Sequence, residues 1–239
     1  MSCVPLDRRE LAAEPHDEVL ANTWVVIPAH NEGRVLAEVL LRVLRVCPNV
    51  VVVDDGSSDE TLQVAAGKPV HLLRHLINLG QGAALQTGIG YALRCGARWI
   101  VTFDADGQMD EKEIPALCRA LADGDAEVAL GTRFAGGGAR MPALRRLVLR
   151  MAVVFTRLTT GLAVSDTHNG FRAFSRAAGQ RIRLRQNRMA HASEILQTIA
   201  QHRLRFTEVP VSIRYTAYSM SKGQSLLNSF NILWELLFH

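Results

Sequence analysis

Asp104 and Asp106 stand one residue apart at the end of a short apolar run, Trp99 to Phe103. The run is β-prone and bounded by Gly96 and Gly107, which predicts a strand buried on both faces. In open parallel sheets, ligands bind beyond the carboxyl ends of the strands. The two carboxylates therefore fall where a ligand would sit. If the chain turns at Asp104, both can serve one cation, one directly and the other through water or the ligand. Hard divalent cations take oxygen ligands, and Mg2+ typically combines one or two carboxylates with substrate phosphates. Gln108 offers a further, neutral oxygen. The competing reading is a solvated turn, because Asp and Gly are common turn residues.

The same design occurs earlier in the chain. Val50 to Val53 predicts a central parallel strand that ends in Asp54 and Asp55. Gly56 allows a tight turn there, and Ser57 or Ser58 can cap the helix that follows. Asn78 to Ala84 is a glycine-containing loop entering a helix that runs to about Cys95. Such an entrance can hold a phosphate. Its spacing matches neither a P-loop nor a dinucleotide fingerprint, and close helix packing accounts for the glycines equally well. Arg133 closely follows a predicted strand, Val128 to Gly131. Asp166 to Arg172 is a dense polar loop, and Glu194 lies on a helix predicted near 190–202. Lys222 lies in a polar segment, 215–225, suited to a flap that closes over a ligand.

These residues must be held by an alternation of strand, loop and helix, which is the pattern of an α/β sheet. Trp24 to Ile27 is the first strand, and apolar residues recur at helical spacing from Val35 to Leu44. Val70 to Leu73 reads as a third strand and 111–122 as a helix. Phe206 to Arg214 reads as a strand broken by Pro210, and so is expected at a sheet edge. Gly136 to Gly138 marks a mobile loop. From Pro142 to about Leu162 a helical region carries an apolar stripe, with Arg146, Arg150 and Arg157 on a shared face. That pattern suits a helix lying on an anionic membrane surface, or an ordinary amphipathic packing helix. Leu226 to Phe238 is apolar but too short to span a bilayer.

A chain of 239 residues that is 48% hydrophobic suits one large α/β domain or two small ones. The four cysteines have no metal-ligand spacing and read as reduced thiols of a cytosolic protein. Neither a signal peptide nor a membrane span is visible. The net charge of +4 hides an asymmetry: residues 1–127 hold 11 Lys/Arg against 19 Asp/Glu, and residues 128–239 hold 16 against 4. A basic half implies an anionic partner, and fifteen of its sixteen cations are arginines, which suit phosphates. Aromatics total 6% and do not interleave with the arginines, which argues against a nucleic acid.

Six pieces in order resemble the family 2 glycosyltransferases, and among them the dolichol- or polyprenyl-phosphate sugar synthases. They are Val-Val-Ile-Pro-Ala-His-Asn-Glu at 25–32, Val-Val-Val-Asp-Asp-Gly-Ser-Ser-Asp at 51–59, Asp-Ala-Asp-Gly-Gln at 104–108, Gly-Thr-Arg-Phe at 131–134, Gly-Phe-Arg-Ala-Phe at 170–174 and Glu-Val-Pro-Val at 208–211. The resemblance covers roughly residues 24–225. It implies a single Rossmann-like, nucleotide-binding α/β domain of the glycosyltransferase A type with a mostly parallel mixed sheet. The domain would span 23–225, between a polar arm at 1–22 and an apolar, amphipathic tail at 226–239.

The resemblance also implies roles. Pro28, Ala29, His30, Glu32, Val53, Asp55 and Gln81 would form the nucleotide-sugar wall. Asp104, Ala105, Asp106 and Gln108 would form the diphosphate and metal site for Mg2+ or Mn2+. Arg133, Arg172 and Lys222 would meet phosphates, those of the acceptor included, and Glu194 would be the general base a sugar hydroxyl needs. The implied reaction is inverting transfer from a nucleoside-diphosphate sugar to a polyprenyl phosphate at the inner face of the cell membrane, by a cytoplasmic protein attached peripherally. A saccharide acceptor in cell-surface polysaccharide synthesis is the alternative, and an inactive nucleotide-binding or membrane-docking partner is a third. The tail could also join a membrane-protein partner or a second copy of the chain. The chain departs from the family pattern at His30, where an aromatic is usual, and at Thr216, where an arginine precedes the flap lysine; Arg214 lies eight before Lys222.

Overall fold

The computed structural model describes residues 18–133, 151, 153–154, 156–167, 169–187 and 191–214. Its β-branched runs form the middle of a seven-stranded sheet. After α1 (Glu18–Ala21) the chain runs through β1 (Thr23–Ala29), α2 (Gly33–Val46), β2 (Asn49–Asp55), α3 (Thr61–Ala66) and β3 (His71–His75). It continues through α4 (Gln81–Arg94), β4 (Trp99–Thr102), a 3-10 turn (Glu111–Glu113), α5 (Ile114–Ala122) and β5 (Val128–Thr132). Last come β6 (Arg172–Ser175), the helices Arg176–Arg181 and His191–Gln201, and β7 (Phe206–Pro210). The strand order is β3-β2-β1-β4-β6-β5-β7. All pairs are parallel except those made by β6, which runs antiparallel to both β4 and β5. The α/β class with a mostly parallel mixed sheet is the one the sequence implies.

Strand alternation sorts the side chains into two layers. Val25, Ile27, Val50 and Val52 pack on the face covered by α2 and α5, with Leu36, Leu40 and Leu117. Trp24, Val26, Val51 and Val53 pack on the other face, with Ile89 of α4 and Ile195 and Ile199 of the helix His191–Gln201. Both faces are covered, so the central strands are apolar throughout rather than alternating.

Several local expectations change. Neither Ser57 nor Ser58 caps α3; Asp59 instead accepts from the Thr61 and Gly33 amides, while Ser57 accepts from the Asn31 amide. Asp59 reaches two helix starts at once, which a serine hydroxyl is too short to do. β6 lies where the sequence suggests only the tail of a polar loop, because one of its four residues is an arginine. β7 is an edge strand, as Pro210 requires. Cys47 and Cys118 are buried free thiols, as the sequence leads one to expect of them. The arm 1–17, the glycines 136–138, residues 142–150 of the arginine-bearing stretch, the flap with Lys222 and the tail 226–239 lie outside the described residues. Among those described, no helix is long and apolar enough to cross a membrane.

Candidate active site

From β1 the chain moves outward to β2 and β3, then returns to place β4 on the other side of β1. Such a switch in direction leaves a crevice at the carboxyl ends of the strands. Here it is a cavity of about 380 Å³. Pro28, Ala29, His30 and Glu32 line it from the end of β1, and Asp55 from β2. Asn78, Gly80, Gln81 and Ala84 come from the entrance of α4, and Asp104, Ala105 and Asp106 follow β4. Four of these twelve residues are acidic, and none is Lys or Arg.

The base of the pocket is tied together by side-chain hydrogen bonds. His30 donates from Nδ1 to the Asp55 carbonyl at 3.0 Å, since a carbonyl only accepts. Its Nε2 accepts from the Asn31 amide nitrogen at 3.2 Å, and Asn31 Oδ1 is held as an acceptor by the Ser58 amide. Asn31 takes φ = 55°, which asparagine tolerates better than most residues. Asp55 accepts from the Leu79 and Gly80 amides at 3.0 and 2.7 Å and from His75 at 2.7 Å. Burial pushes its carboxyl up, but the bonds from His75, Leu79 and Gly80 more than offset this and hold it below the usual aspartate value. Asp55 thus clamps the loop that opens α4. Gly80 is the hinge of that loop at φ = 98°, a conformation that favours glycine.

Asp104 and Asp106 sit together at the pocket's inner end. Asp104 accepts from the Gln81 side chain at 3.0 Å, and Asp106 from the Gln108 amide at 2.9 Å. Burial and then the neighbouring Asp106 push the Asp104 carboxyl up to about 7, with Glu32 adding to the rise and Arg172 and Gln81 opposing it. Negative charge is therefore crowded here. Among the described residues no group of three or more His, Cys, Asp or Glu could hold a metal ion alone. Two carboxylates with hard oxygens instead suit Mg2+ or Mn2+ when a ligand phosphate completes the shell.

Other candidates lie around this centre rather than in it. Arg133 is not in the lining; its Nε and Nη2 grip Asp166 at 2.6 and 2.7 Å, and its amide donates to the same carboxylate. Arg172 requires correction as a phosphate contact. It is 3% exposed and donates to the carbonyls of Asn169, Ala192 and Thr167, so it braces the loop behind Asp104. Burial lowers its pKa to about 10, while Asp166 and Asp104 act to raise it. Val53 is fully buried in the layer under α4 and lies outside the lining. Gln108 is tied through its carbonyl to the Arg214 amide, and the Arg214 guanidinium pairs with Asp110. The Glu194 carboxylate accepts from the amides of Arg185 and Gln186 and is likewise outside the lining. Gly82 donates its amide to the Asn187 carbonyl, which answers the phosphate reading of the α4 entrance in favour of packing. The sequence reading missed Asn78, Gly80, Ala84 and Asp166. The first three belong to a loop whose glycines were visible, and the last begins a loop visible only as polar.

Residues 24–183 match the family model described as glycosyl transferase family 2. This chain belongs to that family. The UDP-N-acetylglucosamine–dolichyl-phosphate N-acetylglucosaminyltransferase of Methanococcus voltae is 30% identical to this glycosyltransferase family member over 236 residues, covering 90% of this chain and 94% of its own. The polyprenol monophosphomannose synthase of Mycolicibacterium smegmatis is 36% identical over 193 residues, covering 76% and 72%. Glucosyl-3-phosphoglycerate synthase from Mycobacterium tuberculosis, solved with Mn2+, uridine diphosphate and phosphoglyceric acid, shares the fold at a TM-score of 0.64 and 18% identity, over 90% of this chain and 77% of its own.

Proposed function

We propose that this protein is an inverting glycosyltransferase that moves a sugar from a nucleoside diphosphate to a polyprenyl phosphate at a membrane surface. The observation that carries this reading is a strand-end pocket whose described lining holds Glu32, Asp55, Asp104 and Asp106 and, among the described residues, no lysine or arginine. Such a pocket repels a diphosphate unless a divalent cation sits between them. Asp104 and Asp106 would hold that cation, with Gln108 beside them. When bound, it would neutralise the charge that builds on the leaving diphosphate. Pro28, Ala29, His30 and the clamped 78–81 loop would seat the nucleoside. Relatives named for transfer to dolichyl and polyprenyl phosphates support the acceptor class, and a fold neighbour holding Mn2+ with uridine diphosphate supports the cation.

The acceptor follows from proton accounting. A phosphate acceptor is already ionised at neutral pH, whereas a sugar hydroxyl needs a general base. Glu194, the base candidate, has its carboxylate engaged by two main-chain amides, which favours the phosphate. Arg133, swung from Asp166, and Lys222 of the flap would meet phosphates. The test is transfer of radiolabelled sugar from UDP- and GDP-sugars to a polyprenyl phosphate, with Mn2+ or Mg2+ and with chelator. Lipid-linked product that disappears with chelator is expected. Product only on saccharide acceptors would move the assignment to polysaccharide synthesis, and nucleotide binding without any transfer would move it to an inactive partner.

A further inference from the structure

The strap 184–187 crosses the first turn of α4 and is held from three sides. The Leu184 amide donates to Gln86 Oε1 at 2.6 Å, and the Asn187 carbonyl accepts from the Gly82 amide at 2.9 Å. The Gln186 carbonyl lies so close to Gly82 that a Cβ there would sit 2.1 Å from the oxygen. The third hold is Glu194: both its oxygens accept from the Arg185 amide at 2.9 Å, and one also accepts from the Gln186 amide at 3.0 Å. Leu184 is buried in the layer under α4, while residues 185–187 are exposed, so among the described residues it is these bonds that hold the outer part of the strap. Next to Gly82 is Gln81, which lines the pocket and donates to Asp104.

We infer that Glu194 is a positioning residue: by fixing the strap on the α4 entrance it sets Gln81 against Asp104, and it does not remove a proton from the acceptor. The inference rests on the proposed function, because it assigns Glu194 its place in that site. The Glu194 carboxylate is turned to the strap, where the Arg185 and Gln186 N–H groups occupy both its oxygens, and it is not among the residues lining the pocket. The strap in turn presses on the one turn of helix that joins the nucleoside side of the pocket to its acidic end.

The two roles separate in a pair of variants. A glutamine at 194 keeps an oxygen that can accept from the amides but cannot act as a base, whereas an alanine keeps neither. Titration calorimetry with uridine and guanosine diphosphates in Mn2+, and the pH profile of transfer to a polyprenyl phosphate, are measured for wild type, Glu194→Gln and Glu194→Ala. Glu194→Ala should weaken the better-bound diphosphate about tenfold and raise the donor KM to match, with the shape of the pH profile kept. Glu194→Gln should recover to within about threefold of wild type. Gly82→Ala, which drives a Cβ into the strap from the other side, should reproduce the alanine defect. A glutamine variant as slow as the alanine one, with the acid limb of the profile flattened, would instead make Glu194 the base and overturn the inference. Equal diphosphate affinity in wild type and Glu194→Ala would also overturn it, leaving the proposed function intact. Failure of wild type to bind either diphosphate would strike the proposed function itself.

Discussion

Asp106 bears most directly on the chemistry. It lines the pocket and its charge pushes the Asp104 carboxyl pKa up, so its removal takes away one of two candidate anionic cation ligands. Asp106→Asn should abolish cation-dependent diphosphate binding in calorimetry while the melting temperature stays near wild type. Full Mn2+-dependent binding by this variant would remove Asp106 from the site. Asp55 works differently. Its carboxylate clamps Leu79, Gly80 and His75, so Asp55→Asn should lower stability by about 1–3 kcal/mol, the cost of leaving buried donors without a charged acceptor. The sign with pH follows from its depressed pKa. The stabilisation is present above the unfolded value of about 4 and is lost as pH falls through the lower folded value. Denaturant midpoints of wild type and Asp55→Asn should therefore draw together as pH falls below the unfolded value of about 4, and a gap that stays constant as pH falls would sink the assignment. At this scale the sequence located the acids well, because a carboxylate just past a buried strand has few other places to go. The arginines were less legible. A guanidinium can turn outward to a ligand or inward to carbonyls and carboxylates, and nothing local to Arg133 or Arg172 says which.

Among the elements, α4 matters most to the site. It packs across β1 and β2, and its first turn supplies Gly80, Gln81 and Ala84 to the pocket. Gly88 is what lets it lie so close: a Cβ there would meet Val26 Cγ1 at 2.3 Å and Val53 Cγ2 at 3.3 Å. Gly88→Ala should cost about 1–3 kcal/mol through overpacking and should weaken diphosphate binding by displacing the helix. Adding Val26→Ala should restore part of both, which a double-mutant denaturation cycle measures; strict additivity would mean the two positions do not touch. The parallel core was legible for the same reason α4 fits it: Val50 to Val53 and Trp99 to Phe103 can only be strands covered on both sides. β6 was not legible. Its pairing with β4 and β5 is a tertiary fact, and its four residues include an arginine whose burial depends on a loop folding over it.

At the scale of the whole molecule, a pocket at the carboxyl ends of the central strands has to be brought to a lipid. The arginine-bearing stretch is described only in part, but what is described has an unusual surface. Met151, Val154 and Leu158 are 53%, 56% and 81% exposed and recur at helical spacing, with residues 156–160 helical. Large aliphatics left in water along one helix face, beside Arg157, suit a helix that rests on a bilayer with its apolar side down. We expect two separable contributions. Arg145, Arg146, Arg150 and Arg157 changed together to Gln should reduce flotation with anionic vesicles, since each arginine near such a surface contributes on the order of 1 kcal/mol and salt screens it. Val154→Ser with Leu158→Ser should reduce flotation at high salt as well, where only apolar insertion remains. In both variants transfer to a short, water-soluble acceptor phosphate should be largely retained, because the described members of this set, Val154, Arg157 and Leu158, do not line the pocket. Wild-type flotation in both variants would remove this helix from the membrane contact. If wild type itself failed to float, even with the polyprenyl phosphate in the bilayer, delivery by a partner protein would replace direct docking.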